Sequence, residues 1–308
     1  MPVFVFPSSP MSYRGRFAPS PTGSLHFGSL VAALGSYLDA RHHGGVWLVR
    51  IEDVDRTREV PGATDLILHT LDAFGFEWDE SVEYQSRRDP AYREAIEKLQ
   101  HTGLLYPCGC SRKDIRQQGR PGVEGPVYAG TCRNGLPPDL KRRTLRVRTE
   151  VDSITLDDRI QGRISQCLET EVGDFVVHRA DGLFAYQLAV VVDDAWQGIT
   201  HVVRGADLLL STPRQIYLHR LLGQQPPEYA HLPLAVDRTG RKLSKQLASQ
   251  PVDAEKPVPA LLAALGHLDQ PLPPEPLDST AEILTWAVEH WDTHLIPAIA
   301  MRAADYTP

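Results

Sequence analysis

A chain of 308 residues, 42% hydrophobic and 23% charged, has enough apolar material for a large core and a length suited to about two domains. No apolar run is long enough to span a bilayer, and the opening Val3-Phe4-Val5-Phe6 lacks preceding basic residues and stops at Pro7, which makes it a poor signal peptide. A net charge of −7 argues against a protein built around long electrostatic contact with nucleic acid, without excluding RNA, and four cysteines in a chain this long fit a reducing cytoplasm better than a disulfide framework.

Residues 1–11 read as a disordered extension, with Met11 a candidate start. Arg16-Phe17-Ala18 is extended, and Pro19, Pro21 and Gly23 then break regular structure. From Gly28 the pattern is helical, with Leu30, Val31, Leu34, Tyr37 and Leu38 on one face. A Gly- and Ser-containing turn that opens a helix presents backbone N–H groups at the positive end of the dipole, so Gly28 and Ser29 can hold a phosphate, and His26 can reach the same anion. Val46–Ile51 reads as a buried parallel strand ending in Glu52-Asp53-Val54-Asp55, where open α/β sheets bind ligands. Pro61 suits a first helical position, with Leu66, Ile67, Thr70, Leu71 and Phe74 as the apolar face; a further helix runs from Pro90 to His101. This alternation predicts a parallel, doubly wound sheet.

The character changes at Tyr106-Pro107. A Cys- and Gly-rich segment and two β-like runs, 144–149 and 174–179, read as an α+β domain, 106–185, inserted between sheet-domain halves 12–105 and 186–246. The second half carries a helix through Leu188, Val191 and Val192, a strand at His201–Arg204 and a helix after Pro213. Residues 247–308 form a Pro-rich tail with short helices, one docked through Trp286, Val288 and Trp291.

Cys108, Cys110 and Cys132 lie on turns at a spacing that can converge on one tetrahedral ion, although three free thiols fit the spacing too and the usual Cys/His set lacks a fourth member. Cys167 reads as a small core residue. Two basic groups, Arg112/Lys113/Arg116/Arg120 and Lys141/Arg142/Arg143/Arg146/Arg148, read either as solvated faces or as RNA contacts. Lys242-Leu243-Ser244-Lys245-Gln246 puts two lysines and a serine on a loop, as a mobile polyphosphate clamp requires. Arg16 and Arg204 match two carboxylates in planar, bidentate fashion, and Glu52 matches an ammonium, which together suit an acidic amino acid; each is open to a purely structural ion-pair reading.

His26-Phe27-Gly28-Ser29 resembles the HIGH motif of class I aminoacyl-tRNA synthetases, and Lys242–Gln246 resembles their KMSKS loop. The strings Arg16–Ser20, Val49–Asp53, Gly182–Tyr186, Leu188–Asp194 and Arg204–Asp207 resemble the glutamyl-tRNA synthetase branch, in particular its truncated tRNA-modifying paralogues, over 16–246. The resemblance implies a Rossmann-like catalytic domain. It implies that Arg16, Ala18, Ser20, Glu52, Tyr186 and Arg204 bind L-glutamate, that His26, Gly28, Ser29, Lys242 and Lys245 serve ATP and its Mg²⁺, and that Cys108, Cys110, Tyr128 and Cys132 hold one structural Zn²⁺. The implied reaction is formation of glutamyl-adenylate without need of tRNA, followed by transfer to queuosine in the anticodon of tRNA(Asp). About sixty residues follow Lys245, fewer than the helical anticodon-binding region of a protein-synthesis enzyme needs. The expected enzyme is a cytoplasmic monomer; the rival expectations are a compact glutamyl-tRNA synthetase charging the 3′ end of tRNA(Glu), and a non-catalytic tRNA-binding paralogue.

Overall fold

The structure, a computed structural model, describes residues 12–237, 250–304 and 306; the extension 1–11 and the loop with Lys242 and Lys245 lie outside the described residues. The chain begins with β1 (Arg14–Phe17), α1 (Phe27–His42), β2 (Val46–Ile51), α2 (Ala63–Ala73), β3 (Glu83–Tyr84) and α3 (Asp89–His101). The strands are parallel and lie in the order β1-β2-β3, with Arg14 opposite Val46 and Arg50 opposite Glu83.

There follow β4 (Leu105–Cys108), α4 (Arg112–Gln118), β5 (Arg120–Gly122), β6 (Gly125–Val127), β7 (Thr144–Val147), β8 (Ser153–Asp158), β9 (Gly162–Cys167), α5 (Leu168–Glu171) and β10 (Phe175–His178). All strand pairings here are antiparallel: a sheet β10-β7-β4 and the hairpins β5-β6 and β8-β9. The chain then returns to parallel pairing with α6 (Tyr186–Trp196), β11 (His201–Gly205), α7 (Thr212–Leu221) and β12 (Glu228–Leu232). Thr200 N–H donates to the Arg14 carbonyl at 3.0 Å and sets β11 beside β1. The last elements are β13 (Leu234–Val236), α8 (Pro257–His267), α9 (Thr280–Glu289) and β14 (Met301–Ala303), with β13 and β14 parallel.

Alternation along the strands separates two cores. Trp47, Val49, Ile51, Val203 and Ala230 pack with α1, α2, α8 and α9, whereas Leu48, Val202 and Tyr229 pack with α3, α6 and α7. Apolar side chains on both faces are what a parallel sheet covered on two sides requires. Helix α1 is buried nearly all round rather than along one stripe, and it passes so close to β12 that a β-carbon on Gly35 would meet Leu232 Cδ1 at 2.6 Å. Its buried Asp39 accepts bonds from Tyr13 Oη, from Arg159 at 2.6 and 3.1 Å, and from Trp291 Nε1 at 3.0 Å, which fastens the C-terminal helices to the sheet. Among the described residues no helix is long and apolar enough to cross a membrane.

Several local expectations are corrected. Pro61 lies in a turn, because Gly62 takes a left-handed φ of 78° before α2 starts at Ala63. The buried face of α2 is Ala63, Ile67, Thr70 and Leu71, the i, i+4, i+7, i+8 series, which leaves Leu66 51% exposed. Trp291 is buried and Val288 packs against the core as expected, beside Ile283, Leu284 and Ala287, whereas Trp286 stacks on His290. Cys167 is half-buried at the end of β9, outside any core. Arg146 and Arg148 leave the second basic group: Arg146 is buried and donates to the Asp174 carbonyl at 2.7 Å, and Arg148 donates to the Arg133 carbonyl. Arg112, Lys113, Arg116 and Arg120 are all exposed.

Candidate functional site

Arg16, Ala18 and Ser20 follow from β1 into the turn, Glu52 ends β2, Tyr186 opens α6 and Arg204 ends β11. These positions, 188 residues apart at the extremes, line one pocket of about 490 Å³ together with His26, Gly28 and Ser29. The pocket opens at the carboxyl ends of parallel strands, where an open α/β sheet leaves its crevice. Glu52 N–H donates to the Pro19 carbonyl and Val60 N–H to the Pro21 carbonyl, at 3.0 and 2.9 Å, so the Pro-rich turn is fixed against the end of β2.

The first turn of α1 forms one wall. His26 is its cap: Nδ1 accepts from Ser29 N–H at 3.2 Å, and Nε2 lies 3.1 Å from Ser29 Oγ. The ring thus organises the helix start besides lining the pocket, and Gly28 and Ser29 bring the positive end of a 16-residue helix to the wall, as a phosphate requires.

The opposite wall is ionic. Arg16 donates to Asp194 from Nε at 3.2 Å and from Nη2 at 3.4 Å. Arg50 donates to the same Asp194 at 2.7 Å and to Gln197 Oε1 at 2.7 Å. Arg204 spends Nε on His231 Nε2 at 3.0 Å, and Nη2 on Thr212 Oγ1 and Gln215 Oε1, both at 2.8 Å. The two arginines therefore do not stand as free bidentate forks. Each keeps Nη1, and Arg204 Nη1 is buried with no hydrogen-bond partner among the described residues. Among the described residues no carboxylate lies within ion-pair distance of Arg204. Glu52 is its counterpart: Oε1 accepts no hydrogen bond, and the nearest cation, Arg50 Nη2, is 3.5 Å away.

Burial pushes the Glu52 carboxyl up to about 7 against the pull of Arg50 and Arg16. Burial also penalises the Asp194 carboxylate, but Arg16 and Arg50 outweigh it and hold Asp194 well below the usual carboxylate range. The Tyr186 hydroxyl is pushed up to about 12 by burial and by the Glu52 charge beside it, so it stays a neutral hydrogen-bonding group. A buried acid held by an ion pair at 3.5 Å but by no hydrogen bond at Oε1, and a buried arginine with one unbonded nitrogen, both lining one pocket, fit a ligand that carries both an ammonium and a carboxylate.

Asp194, Arg50, Asp158, His231, Thr212 and Gln215 support this site and were not singled out from sequence. A usable signal existed for Asp194. Two aspartates end a helix whose Leu188–Val192 run offers no polar face, so the acids have to find cations inside.

A second site lies in the antiparallel part. The Sγ atoms of Cys108, Cys110 and Cys132 are within 4.8 Å of one another, and those of Cys110 and Cys132 are 3.7 Å apart. Tetrahedral metal–sulfur bonds of about 2.3 Å place sulfurs about 3.8 Å apart. Tyr128 Oη joins them, 3.4 Å from Cys108 Sγ and 3.7 Å from Cys110 Sγ, and accepts from Cys132 N–H at 2.8 Å. The Arg146 guanidinium lies 4.1 Å from the Tyr128 ring centroid and offsets the negative charge of thiolates. Burial raises the Cys108 thiol, but its contacts with Tyr128 and Arg146 bring it down to about 7. The donor set fits a thiophilic divalent ion.

Comparison with known proteins bears on both sites. The family model of the class I tRNA synthetases (E and Q), catalytic domain, matches residues 12–258. The glutamyl-Q tRNA(Asp) synthetase of Dechloromonas aromatica is 58% identical over 92% of this chain and 96% of its own. Those of Chromobacterium violaceum and Neisseria gonorrhoeae are 53% and 52% identical, over 96% and 99% of their lengths and over 93% and 94% of this chain. Among solved structures, a glutamate tRNA ligase from Elizabethkingia meningosepticum in complex with its amino acid superposes with a TM-score of 0.77 at 26% identity, over 94% of this chain and 67% of that one. A glutamate-tRNA synthetase from Elizabethkingia anophelis gives 0.79 at 26% identity, over 96% and 68%.

Proposed function

The chain belongs to the glutamyl-Q tRNA(Asp) synthetases, within the class I tRNA synthetases for Glu and Gln, and we propose that it runs their reaction in the pocket above: ATP-dependent activation of L-glutamate, without need of tRNA, and transfer to the queuosine in the anticodon of tRNA(Asp). The observation that carries this reading is the gathering of Arg16, Glu52, Tyr186 and Arg204 in one pocket with the helix start at His26, Gly28 and Ser29.

Glutamate's ammonium binds Glu52, and its two carboxylates meet Arg16 and Arg204, with Ala18, Ser20 and Tyr186 closing around the chain. An oxygen of the α-carboxylate attacks the α-phosphorus of ATP; the bond to the β-phosphate oxygen breaks, giving glutamyl-adenylate and pyrophosphate. The start of α1, with His26, Gly28 and Ser29, and the loop lysines Lys242 and Lys245 neutralise the charge that develops on phosphorus, and Mg²⁺ accompanies the nucleotide. A hydroxyl of the queuosine cyclopentenediol then attacks the activated carbonyl, an ester forms and AMP leaves. Residues 12–105 and 186–246 serve as the split catalytic domain, 106–185 as the insertion and 247–308 as the tail, whose helices α8 and α9 pack against α1.

Transfer of labelled glutamate in the presence of ATP should mark tRNA from cells that make queuosine and leave tRNA from cells that cannot make it unmarked. Equal label on both pools would make this a 3′-end glutamyl-tRNA synthetase.

We assign a structural Zn²⁺ to Cys108, Cys110, Tyr128 and Cys132, stapling the small cluster formed by the insertion's Gly-rich loop. Cys132→Ala should lower the metal content of purified protein, read by atomic emission, from about one zinc per chain to near zero. Tyr128→Phe tests the phenol separately: retention of the full zinc content would remove Tyr128 from the ligand set.

A further inference from the structure

Arg204 is held by an assembly that reaches from the inserted hairpin to the pocket. Asp158 ends β8, at the turn of the β8-β9 hairpin, and this turn is fixed to the sheet by Arg159 N–H donating to the Tyr229 carbonyl at 2.9 Å. Asp158 Oδ2 lies 2.6 Å from His231 Nδ1, and both side chains are fully buried. His231 Nε2 is 3.0 Å from Arg204 Nε. The proton positions follow from chemistry. A guanidinium N–H can only donate, so His231 Nε2 carries a lone pair; a carboxylate can only accept, so Nδ1 carries the hydrogen. Both ends demand the same neutral tautomer. Thr212 Oγ1 lies 3.2 Å from the same Nε2, while its hydroxyl is also directed at the Leu208 carbonyl at 3.1 Å.

The consequence is geometric. Nε and Nη2 of Arg204 are satisfied by His231, Thr212 and Gln215, all neutral, so the plane of the guanidinium is locked at the pocket wall without a counter-charge from these partners. We propose that Asp158 and His231 are positioning residues for glutamate recognition, a relay in which the carboxylate sets the imidazole tautomer and the imidazole sets the orientation of the Arg204 guanidinium toward a substrate carboxylate. This rests on the reading that Arg204 binds glutamate.

Asp158→Asn is the sharpest test, because the carboxylate oxygens have separate duties. Oδ1 accepts backbone N–H groups from Ile160, Gln161 and His231 at 3.1, 2.9 and 3.1 Å, and an asparagine oxygen keeps all three. Its amide nitrogen then faces His231 Nδ1 and donates to it, which moves the imidazole hydrogen to Nε2, where it confronts the Arg204 Nε–H. The fold is preserved and the aim is lost.

In glutamate-dependent exchange of pyrophosphate into ATP, measured on the full chain, Asp158→Asn should raise KM for glutamate about 10- to 100-fold and leave KM for ATP within about twofold. A second pair guards against poor folding. His231→Gln keeps an oxygen acceptor where Nε2 stood, whereas His231→Asn keeps only the donor to Asp158; glutamate KM should rise much more in His231→Asn although both lose comparable thermal stability. Equal effects on glutamate and ATP, or equal glutamate KM in the two His231 variants, would reduce the relay to a structural contact and overturn the proposal. Arg204→Lys separates the two layers. If it raises glutamate KM while Asp158→Asn and His231→Asn do not, the relay fails and the pocket stands; if it leaves glutamate KM unchanged, the pocket assignment itself fails.

Discussion

Asp194→Asn should destabilise the protein by about 3–5 kcal/mol, a drop in melting temperature of roughly 10 °C. Asn has nearly the same shape as Asp, so packing is unchanged and the loss is electrostatic. Asp194, Arg16 and Arg50 have side chains 5%, 3% and 0% exposed, and Asp194 receives donors from both arginines. Removing its charge leaves two guanidinium groups in the core with Glu52 as the nearest remaining carboxylate on this wall, and burial favours the protonated form of Glu52. Uncompensated buried charge is far costlier than a lost surface pair. The matched control is Asp89→Asn, which breaks a pair with Arg93 whose side chains are 47% and 69% exposed and should change stability by less than about 0.5 kcal/mol. Urea unfolding followed by circular dichroism checks both, and equal midpoints for Asp194→Asn and wild type would mean that water reaches the three-residue cluster.

The same cluster shows where sequence reasoning reaches and where it ends. Strand–helix alternation predicts the parallel units because the signals are local: an apolar run, a breaker and a 3.6-residue period. Glu52 and Arg204 were legible as strand-end positions for a related reason, since the ends of parallel strands converge whatever the details of side-chain packing, whereas Ala18, Ser20 and Tyr186 came from the family resemblance; all of them line one pocket. Asp194 and His231 were not, because what marks them is their partners. Arg16 meets Asp194 from 178 positions away and Asp158 meets His231 from 73, and no short window contains either pair. Burial of the acids had to be inferred from the absence of a polar face on α6, an argument about the whole helix rather than about the residue. The basic run at 141–148 misled in the opposite direction. Charge density suggested a surface, but β7 alternates, with Leu145 and Val147 facing the core and Arg146 facing the Tyr128 ring and the Asp174 carbonyl, so part of the run is spent inside.

Glu52→Gln should make the ligand-free protein more stable at neutral pH while suppressing glutamate activation about a hundredfold. The stability half follows from linkage. Burial raises the Glu52 pKa from 4.5 to about 7, so between those values the folded state holds a proton that the unfolded chain has released. Where the native state binds the extra proton, stability falls as pH rises, here by about 1.4 kcal/mol per unit, reaching a deficit of about 3 kcal/mol once Glu52 is ionised above pH 7. The amide introduced by Glu52→Gln carries no charge and escapes this cost, so the difference in stability between variant and wild type should be small at pH 4.5 and grow until about pH 7. The functional half follows from the same carboxylate. In the pocket reading, a neutral amide offers glutamate's ammonium a dipole in place of a charge, and in the wild-type enzyme kcat/KM for glutamate should fall as pH drops below about 7, because the free enzyme then protonates the group that binds the ammonium. Melting curves across this range and a pH profile of pyrophosphate exchange test the two halves independently. A variant that gains stability yet keeps its glutamate KM would show that Glu52 is strained for some purpose other than holding the substrate. A variant that loses activity with no gain in stability would show that the carboxylate is already solvated in the free enzyme.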